Sequence, residues 1–174
     1  MSKDNTEINL SFTNTLSGIV YDKDGNITDK ISKRNILTDN SVAIFTKNLC
    51  EEVNEAGNSA KILGVILSDT TIDKVPEMTI DTFKASSGET LITPITSISY
   101  MGTGVLTYGA RYNIEVTNSS GTDKLYKSYG LVSGFSEADT ASHTLLSILN
   151  CNIEISDGGT FVGDYKITVA LRRS

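Results

Sequence analysis

Tyr112-Asn-Ile-Glu-Val-Thr-Asn-Ser-Ser-Gly121 is the stretch of this chain that decides its fold class. Its first, third and fifth residues are apolar and alternate with polar ones, and a period of two is typical of a strand with one buried face. Asn118–Gly121 consists of residue types that favour turns. The chain then continues into Tyr126–Val132, so the stretch predicts two consecutive strands joined by a turn.

The same pattern recurs towards both ends of the chain. Ile8, Leu10 and Phe12 share one face of a first predicted strand. A second strand near Gly18–Tyr21 enters Asp22-Lys-Asp-Gly25, and Asp-Gly between strand-like runs indicates a hairpin turn. Further strands are predicted at Ile62–Leu67, which is covered on both faces because it does not alternate, and at Met78–Phe83, Leu91–Tyr100 (broken or bent at Pro94), Leu146–Ile155 and Asp164–Leu171.

One segment instead has the period of a helix. Thr38 or Asp39 can cap its first exposed N–H groups. The apolar positions that follow at helical spacing are Val42, Phe45, Leu49 and Val53. We therefore predict one main α-helix over about residues 39–54. Short strands, frequent turns and a single helix together predict a mainly β protein, an antiparallel β-sandwich formed by one domain over residues 1–174.

Composition and charge limit the partners of the protein. The chain has 174 residues, of which 39% are hydrophobic and 21% charged, as in ordinary globular proteins. Its net charge of −6, with adjacent basic pairs only at Lys33-Arg34 and Arg172-Arg173, argues against nucleic acid as a partner. No apolar run approaches the ~20 residues of a membrane span. Met1–Glu7 is polar and precedes no apolar run, so no signal peptide is predicted.

Two glycine-containing stretches superficially suggest ligand loops. Asp22–Asp29 is rich in oxygen donors, but an EF-hand loop counted from Asp22 would need glycine at the position of Ile27 and glutamate at that of Lys33. We predict a plain hairpin turn there. Gly102–Gly109 lacks the Gly-Lys-Ser/Thr ending of a phosphate loop, and we predict a strand flanked by turns.

The residue types that usually perform catalysis are few. His143, the only histidine, lies in the polar loop Ser136–His143 and is predicted to be at the surface. No serine lies in a Gly-x-Ser-x-Gly turn. The remaining candidates are Asp69, Asp73 and Asp81, predicted to be solvated, and Cys50 and Cys151, predicted to be buried free thiols. We therefore predict that the protein is not an enzyme and has no catalytic, cofactor-binding or metal-binding residues.

Four segments, taken in chain order, carry a resemblance. Asn35–Asp39 leads into the predicted helix, Ile62–Ser68 is an "ialG"-like strand, Lys127–Val132 is an "EiGL"-type segment, and Asp164–Leu171 is a final strand. This order resembles a β module of virion structural proteins in tailed bacteriophages. Lys127-Ser128 stands where the module has Arg-Glu, so an ion pair made by Arg-Glu is not expected in this chain.

The resemblance implies a structural protein of a tailed-phage particle, in its tail, collar, baseplate or fibre attachment. Such a protein would be located in the virion after assembly in the host cytoplasm. Its partners would be other virion proteins and copies of itself in a ring-type homo-oligomer. The first 35 residues, including Ile8–Phe12, would form an arm that contacts neighbouring subunits around a body of residues 38–171. In the alternative, Ile8–Phe12 is an ordinary strand of the same sandwich.

Two other functions are open. The protein could instead decorate the capsid or form a head fibre, which is also a structural role. It could also be a carbohydrate- or receptor-binding β module, with a site formed by the loops Ser68–Asp73 and Gly134–His143. Sugar sites usually contain exposed aromatic residues, and Phe135 is the only Phe, Tyr or Trp in these two loops.

Overall fold

The structure is a computed structural model that describes residues 8–39, 41, 60–102 and 107–173. Within these residues one α-helix spans Ile80–Ala85, and a 3₁₀ turn spans Thr140–Ser142. The strands are β1 (Ile8–Tyr21), β2 (Ile27–Arg34), β3 (Ile36–Leu37), β4 (Lys61–Ser68), β5 (Thr90–Pro94), β6 (Ser97–Gly102), β7 (Thr107–Thr117), β8 (Lys124–Gly134), β9 (Thr144–Ile155) and β10 (Thr160–Arg173).

These strands form two antiparallel sheets that pack face to face. Sheet A has the order β2-β1-β10-β7-β6, and sheet B has the order β3-β9-β8-β4-β5. Both sheets contribute apolar side chains to the core between them, because alternate residues of each strand face inwards. This core includes Leu16, Val20, Val65, Leu67, Ile114, Tyr129, Leu131, Ile153, Phe161 and Tyr165. The predicted antiparallel β-sandwich is confirmed.

The other face of sheet B carries a second core. Its members from the sheet are Ile66, Val132, Leu145 and Ile148, and the segment between β4 and β5 covers them with Ile72, Met78, Ile80 and Phe83. Strand β4 therefore has apolar contacts on both faces. This explains why Ile62–Leu67 does not alternate, and it confirms the prediction for that strand.

The prediction of a strand at Met78–Phe83 is wrong, because this segment contains the start of the helix. Thr79 caps the helix with its hydroxyl oxygen, which accepts a hydrogen bond from the N–H of Thr82 at 3.1 Å. Ile80 and Phe83 are three residues apart and lie on one face, where both are buried against sheet B. The N-cap and the burial of these two side chains outweigh the local β preference of the segment.

The two strands predicted before Tyr21 are one continuous strand. Asn14 interrupts the apolar alternation, but it is buried and lies in the same alternating series as Leu16 and Val20. Strand β1 pairs with β10 from Ile8 to Tyr21, and β2 pairs with β1 after a turn with Gly25 at φ 82°. The hairpin turn is confirmed. Residues 8–34 thus supply two strands of sheet A, while their contact with a neighbouring subunit stays a prediction.

The strand predicted over Leu91–Tyr100 is broken after Pro94, which was one of the two alternatives, and its two parts belong to different sheets. β5 ends at Pro94, and the chain crosses to sheet A before β6 begins at Ser97. Pro94 has no N–H, so it fits the last position of an edge strand. The main helix predicted over residues 39–54 is described only at Asp39 and Ser41, which are both helical, and its other residues lie outside those described. No helix in the described ranges is long and apolar enough to cross a membrane.

Candidate functional site

One side of the sandwich exposes apolar side chains from two edge strands. β5 is an edge of sheet B and β6 is an edge of sheet A, and only Ile95 and Thr96 separate them in the chain. The exposed fraction is 48% for Ile98 and 85% for Tyr100. Leu91 and Ile92 of β5 are also exposed. We call this side, comprising residues 90–102, the β5–β6 edge.

Ile98 and Tyr100 point towards the inner side of sheet A, where sheet B no longer covers them. Ile98 pairs with Tyr112 and Tyr100 pairs with Ala110, and paired residues lie on the same face of a sheet. Tyr112 lies in the same alternating series as the buried Ile114, which belongs to the core between the sheets. The exposed face of β6 therefore continues the inner face of sheet A past the point where sheet B covers it.

The described residues place no strand on the outer side of β6, so none of them pairs with its outward N–H and C=O groups. The sequence Ser97-Ile-Ser-Tyr-Met-Gly102 has no charged residue and no proline. Natural edge strands are usually protected by lysine, proline, bulges or shortness. β6 has none of the first three, and six residues are enough for a regular ladder.

Three other edges carry protective features, whereas residues 8–13 of β1 are uncharged and, on the side of β2, have no described strand paired with them. β2 has four exposed charged residues at Asp29, Lys30, Lys33 and Arg34. β3 has only two residues. Beyond β3, the exposed edge is formed by β9, which has a bulge because two β9 residues lie opposite Lys127 of β8. β5 ends in Pro94. β6 combines an unprotected edge with the exposed side chains of Ile98 and Tyr100, which makes it suited to pair with another strand.

A groove lies beside this edge. It has a volume of about 460 Å³ and is lined by Ile62, Ile95, Ile98, Glu137 and neighbouring residues. A smaller apolar cavity of about 220 Å³ shares Leu63 and Glu137 with it and reaches His143. The groove lies where β6 passes the start of β4, whereas the smaller cavity lies between β4, β5, β8 and the loop before His143.

The prediction that His143 lies at the surface is wrong. Its side chain is only 8% exposed, and its Nε2 lies 3.1 Å from the carbonyl oxygen of Ser136. The 3₁₀ turn directly precedes His143, and the imidazole ring lies beside Gly134 at the end of β8. This contact between the ring nitrogen and a main-chain oxygen holds the two ends of the Ser136–His143 loop together.

The structure separates the two loops proposed for a receptor or sugar site. Ser68 pairs with Ser128, whereas Lys61 pairs with Gly134 at the opposite end of β4. Seven residues of strand span roughly 23 Å. The loops Ser68–Asp73 and Gly134–His143 therefore do not form one site.

Two of the acidic residues considered above, Asp22 and Asp69, accept hydrogen bonds from residues of nearby turns. The Asp22 carboxylate accepts hydrogen bonds from the side chain and N–H of Asn26 and from the N–H of Asp24, and the bonds from Asn26 lower the pKa of Asp22 most. The Asp69 carboxylate accepts the N–H of Glu89 and the hydroxyl of Thr70, which likewise lower its pKa. Both carboxylates stabilise turns. Within the described ranges, no three His, Cys, Asp or Glu residues lie together as a metal site would need.

The Lys127–Val132 segment occupies the centre of sheet B. Tyr129 and Leu131 face the core between the sheets, and Val132 faces the second core. Ser128, which stands where the phage module has Glu, is fully buried. Its hydroxyl accepts the N–H of Ile72 at 2.9 Å and lies 2.8 Å from the Thr70 carbonyl oxygen. The segment therefore anchors the loop after β4.

Cys151 is a half-buried free thiol beside the core, and burial raises its pKa to about 11. A thiol with so high a pKa is a poor nucleophile at neutral pH. Cys50 lies outside the described residues.

No known protein family, curated protein or solved structure matches this chain. The β5–β6 edge was not among the sequence predictions. The signal that could have found it is the absence of charge across Leu91–Gly102.

Proposed function

We propose that the protein is a structural component of a tailed-phage particle, in the tail, collar, baseplate or fibre attachment. It acts by self-assembly and by contacts with other virion proteins, without catalysis and without a cofactor. The observation that carries this role is the β5–β6 edge, because an uncharged open strand with exposed Ile98 and Tyr100 suits contact with another protein. The phage assignment is supported by the resemblance of four segments, including Lys127–Val132 in the centre of sheet B.

The proposal includes a ring of copies, as the resemblance implies, and residues near Ile8 as one of the surfaces that meet a neighbour. A receptor- or sugar-binding role has less support, since its two loops lie at opposite ends of β4. A capsid-decorating role uses the same kind of contacts and differs only in its place in the particle.

Cryo-EM and mass spectrometry of particles made by the source of this chain test the proposal. We expect the chain in fixed stoichiometry, with density for the two sheets in a repeating position. That position also separates tail from head. Purified particles that lack the chain would overturn the proposal.

A further inference from the structure

We infer that β6 pairs with β6 of a second copy, antiparallel and around a two-fold axis at Ser99, and so joins two copies of sheet A into one continuous sheet. This inference deepens the proposed role in self-assembly and rests on it. A two-fold contact is compatible with a ring, because two rings can associate back to back in dihedral symmetry.

The second copy fits this edge because β6 is self-compatible. In a two-fold antiparallel pair each strand meets its own sequence, and like charges directly opposite one another are destabilising. β6 has no charge to oppose in any register, whereas a β2 pair centred on Ser32 would bring Lys30 opposite Arg34. Pairing of β6 with its own copy is therefore free of like-charge repulsion within the ladder.

The apolar side chains select the register. With the axis at Ser99, Ile98 of each copy lies opposite Tyr100 of the other, on the same face of the joined sheet. Pairs of an aromatic and a β-branched side chain are favourable cross-strand neighbours. Moving the axis by one residue to Tyr100 places Ile98 opposite Gly102 and loses both pairs. If the axis lay between two residues, Ile98 of one copy and Tyr100 of the other would lie on opposite faces of the joined sheet and could not contact each other.

The charges nearest to the axis do not oppose this contact. Arg111 pairs with Ser99 across β6 and β7, and its Nε lies 3.3 Å from a carboxylate oxygen of Asp164. In the joined sheet the two Arg111 residues are three strand spacings apart, roughly 14 Å. That exceeds the screening length of about 8 Å at physiological salt. Each arginine also keeps its own carboxylate partner.

The contact is small, so the isolated pair is weak. A ladder of five residues per strand, with Ile98, Tyr100 and Met101 as its apolar side chains in each copy, buries less area than the ~1,200 Å² of the smallest stable interfaces. Many copies held in one particle strengthen such a contact, because each further contact is intramolecular. A covalent trap is therefore the suitable assay.

The trap uses two single-cysteine variants of the full chain, S99C and S97C, each with C50A and C151A. Ser99 faces its own copy directly, with Cβ atoms about 5 Å apart, whereas Ser97 lies about 14 Å from its copy. Both positions are exposed and lie on the same face of the same strand. The S97C variant therefore controls for random collision and for thiol exposure.

We expect S99C to form the disulfide-linked dimer at least about tenfold faster than S97C, because only its geometry suits a disulfide. Adding I98K to S99C should reduce this rate to that of S97C, since lysine on an edge prevents pairing. Circular dichroism checks that all variants are folded. Equal rates for S99C and S97C, or no effect of I98K, overturn the inference.

Both proposals can fail separately. If the chain is present in particles but S99C shows no preference, only the pairing of β6 is wrong. If S99C shows the preference but the chain is absent from particles, only the phage role is wrong.

Discussion

Gly64 shows how a single residue fixes the spacing of two strands. It belongs to the Ile62–Ser68 segment that resembles the phage module, and it lies on β4 opposite Pro94 of β5. A Cβ atom at this position would press against the main-chain oxygen of Thr93 and lie 3.2 Å from Cα of Pro94. Because the obstacle is backbone, the strand itself would have to move.

We predict that Gly64→Ala lowers the free energy of unfolding by about 1–3 kcal/mol, the usual cost of overpacking. Urea denaturation measures this change. Gly102→Ala is the matched control, because a Cβ there meets nothing within 4 Å. Its stability should remain within about 0.5 kcal/mol of wild type. Equal stabilities of the two variants would show that β5 adjusts freely.

Cys151 gives a pH-dependent prediction. Burial disfavours the thiolate and raises its pKa from 9.0 to about 11. In a C50A background at pH 8, we expect alkylation by iodoacetamide to be roughly a hundredfold slower in the folded protein than after unfolding in urea. Because the folded pKa is raised, the rate should keep increasing up to about pH 11. Equal folded and unfolded rates would contradict the burial of this thiol.

At the scale of elements, the helix Ile80–Ala85 tests the second core. Phe83 is fully buried between the helix and sheet B. We predict that Phe83→Ala costs about 3–5 kcal/mol of stability, as large-to-small core substitutions do. Lys84→Ala, in the next position of the same helix, should have little effect on the melting temperature. A Phe83→Ala protein that melts with wild type would show that the helix is peripheral.

The strands are the elements that the sequence predicts best, because a strand with one buried face must alternate apolar and polar residues. β7, β8, β9 and β10 all contribute alternate residues to the core between the sheets, and the sequence predicted a strand within each of them. The helix at Ile80 was missed because its apolar residues are only three positions apart, too short a run to show a helical period. Its N-cap, Thr79, was the available signal.

The candidate site was harder to predict than the strands. Exposure of Ile98 and Tyr100 depends on where sheet B ends, and no local pattern encodes that end. The burial of His143 has the same kind of cause, since it depends on contacts with Ser136 and the end of β8 that no local pattern predicts.

At the scale of the whole molecule, the N-terminal region decides between an arm and a core strand. β1 lies between β2 and β10 and contributes the buried side chains of Leu16 and Val20. We predict that deletion of residues 1–34 abolishes cooperative thermal unfolding, since it removes two strands of sheet A. Deletion of residues 1–7 leaves every β1–β10 pair in place and should preserve the transition.

The result separates two roles of the same residues. A protein without residues 1–34 that still melts cooperatively would show that the region is an arm added to a complete body. Its loss of assembly in light scattering would then support the intersubunit role.

The antiparallel pairing of β1 and β10 has a mechanical consequence. Ile8 faces Arg173 at the first rung of the ladder. A pulling force applied between these two residues would open the hydrogen bonds one after another, as a zipper opens. A force transmitted along β6 would instead load all the bonds between β6 and β7 together in shear, because antiparallel bonds lie perpendicular to the strands. If copies are joined through β6 and tension acts along the paired strands, all the hydrogen bonds of the joined ladder would share the load.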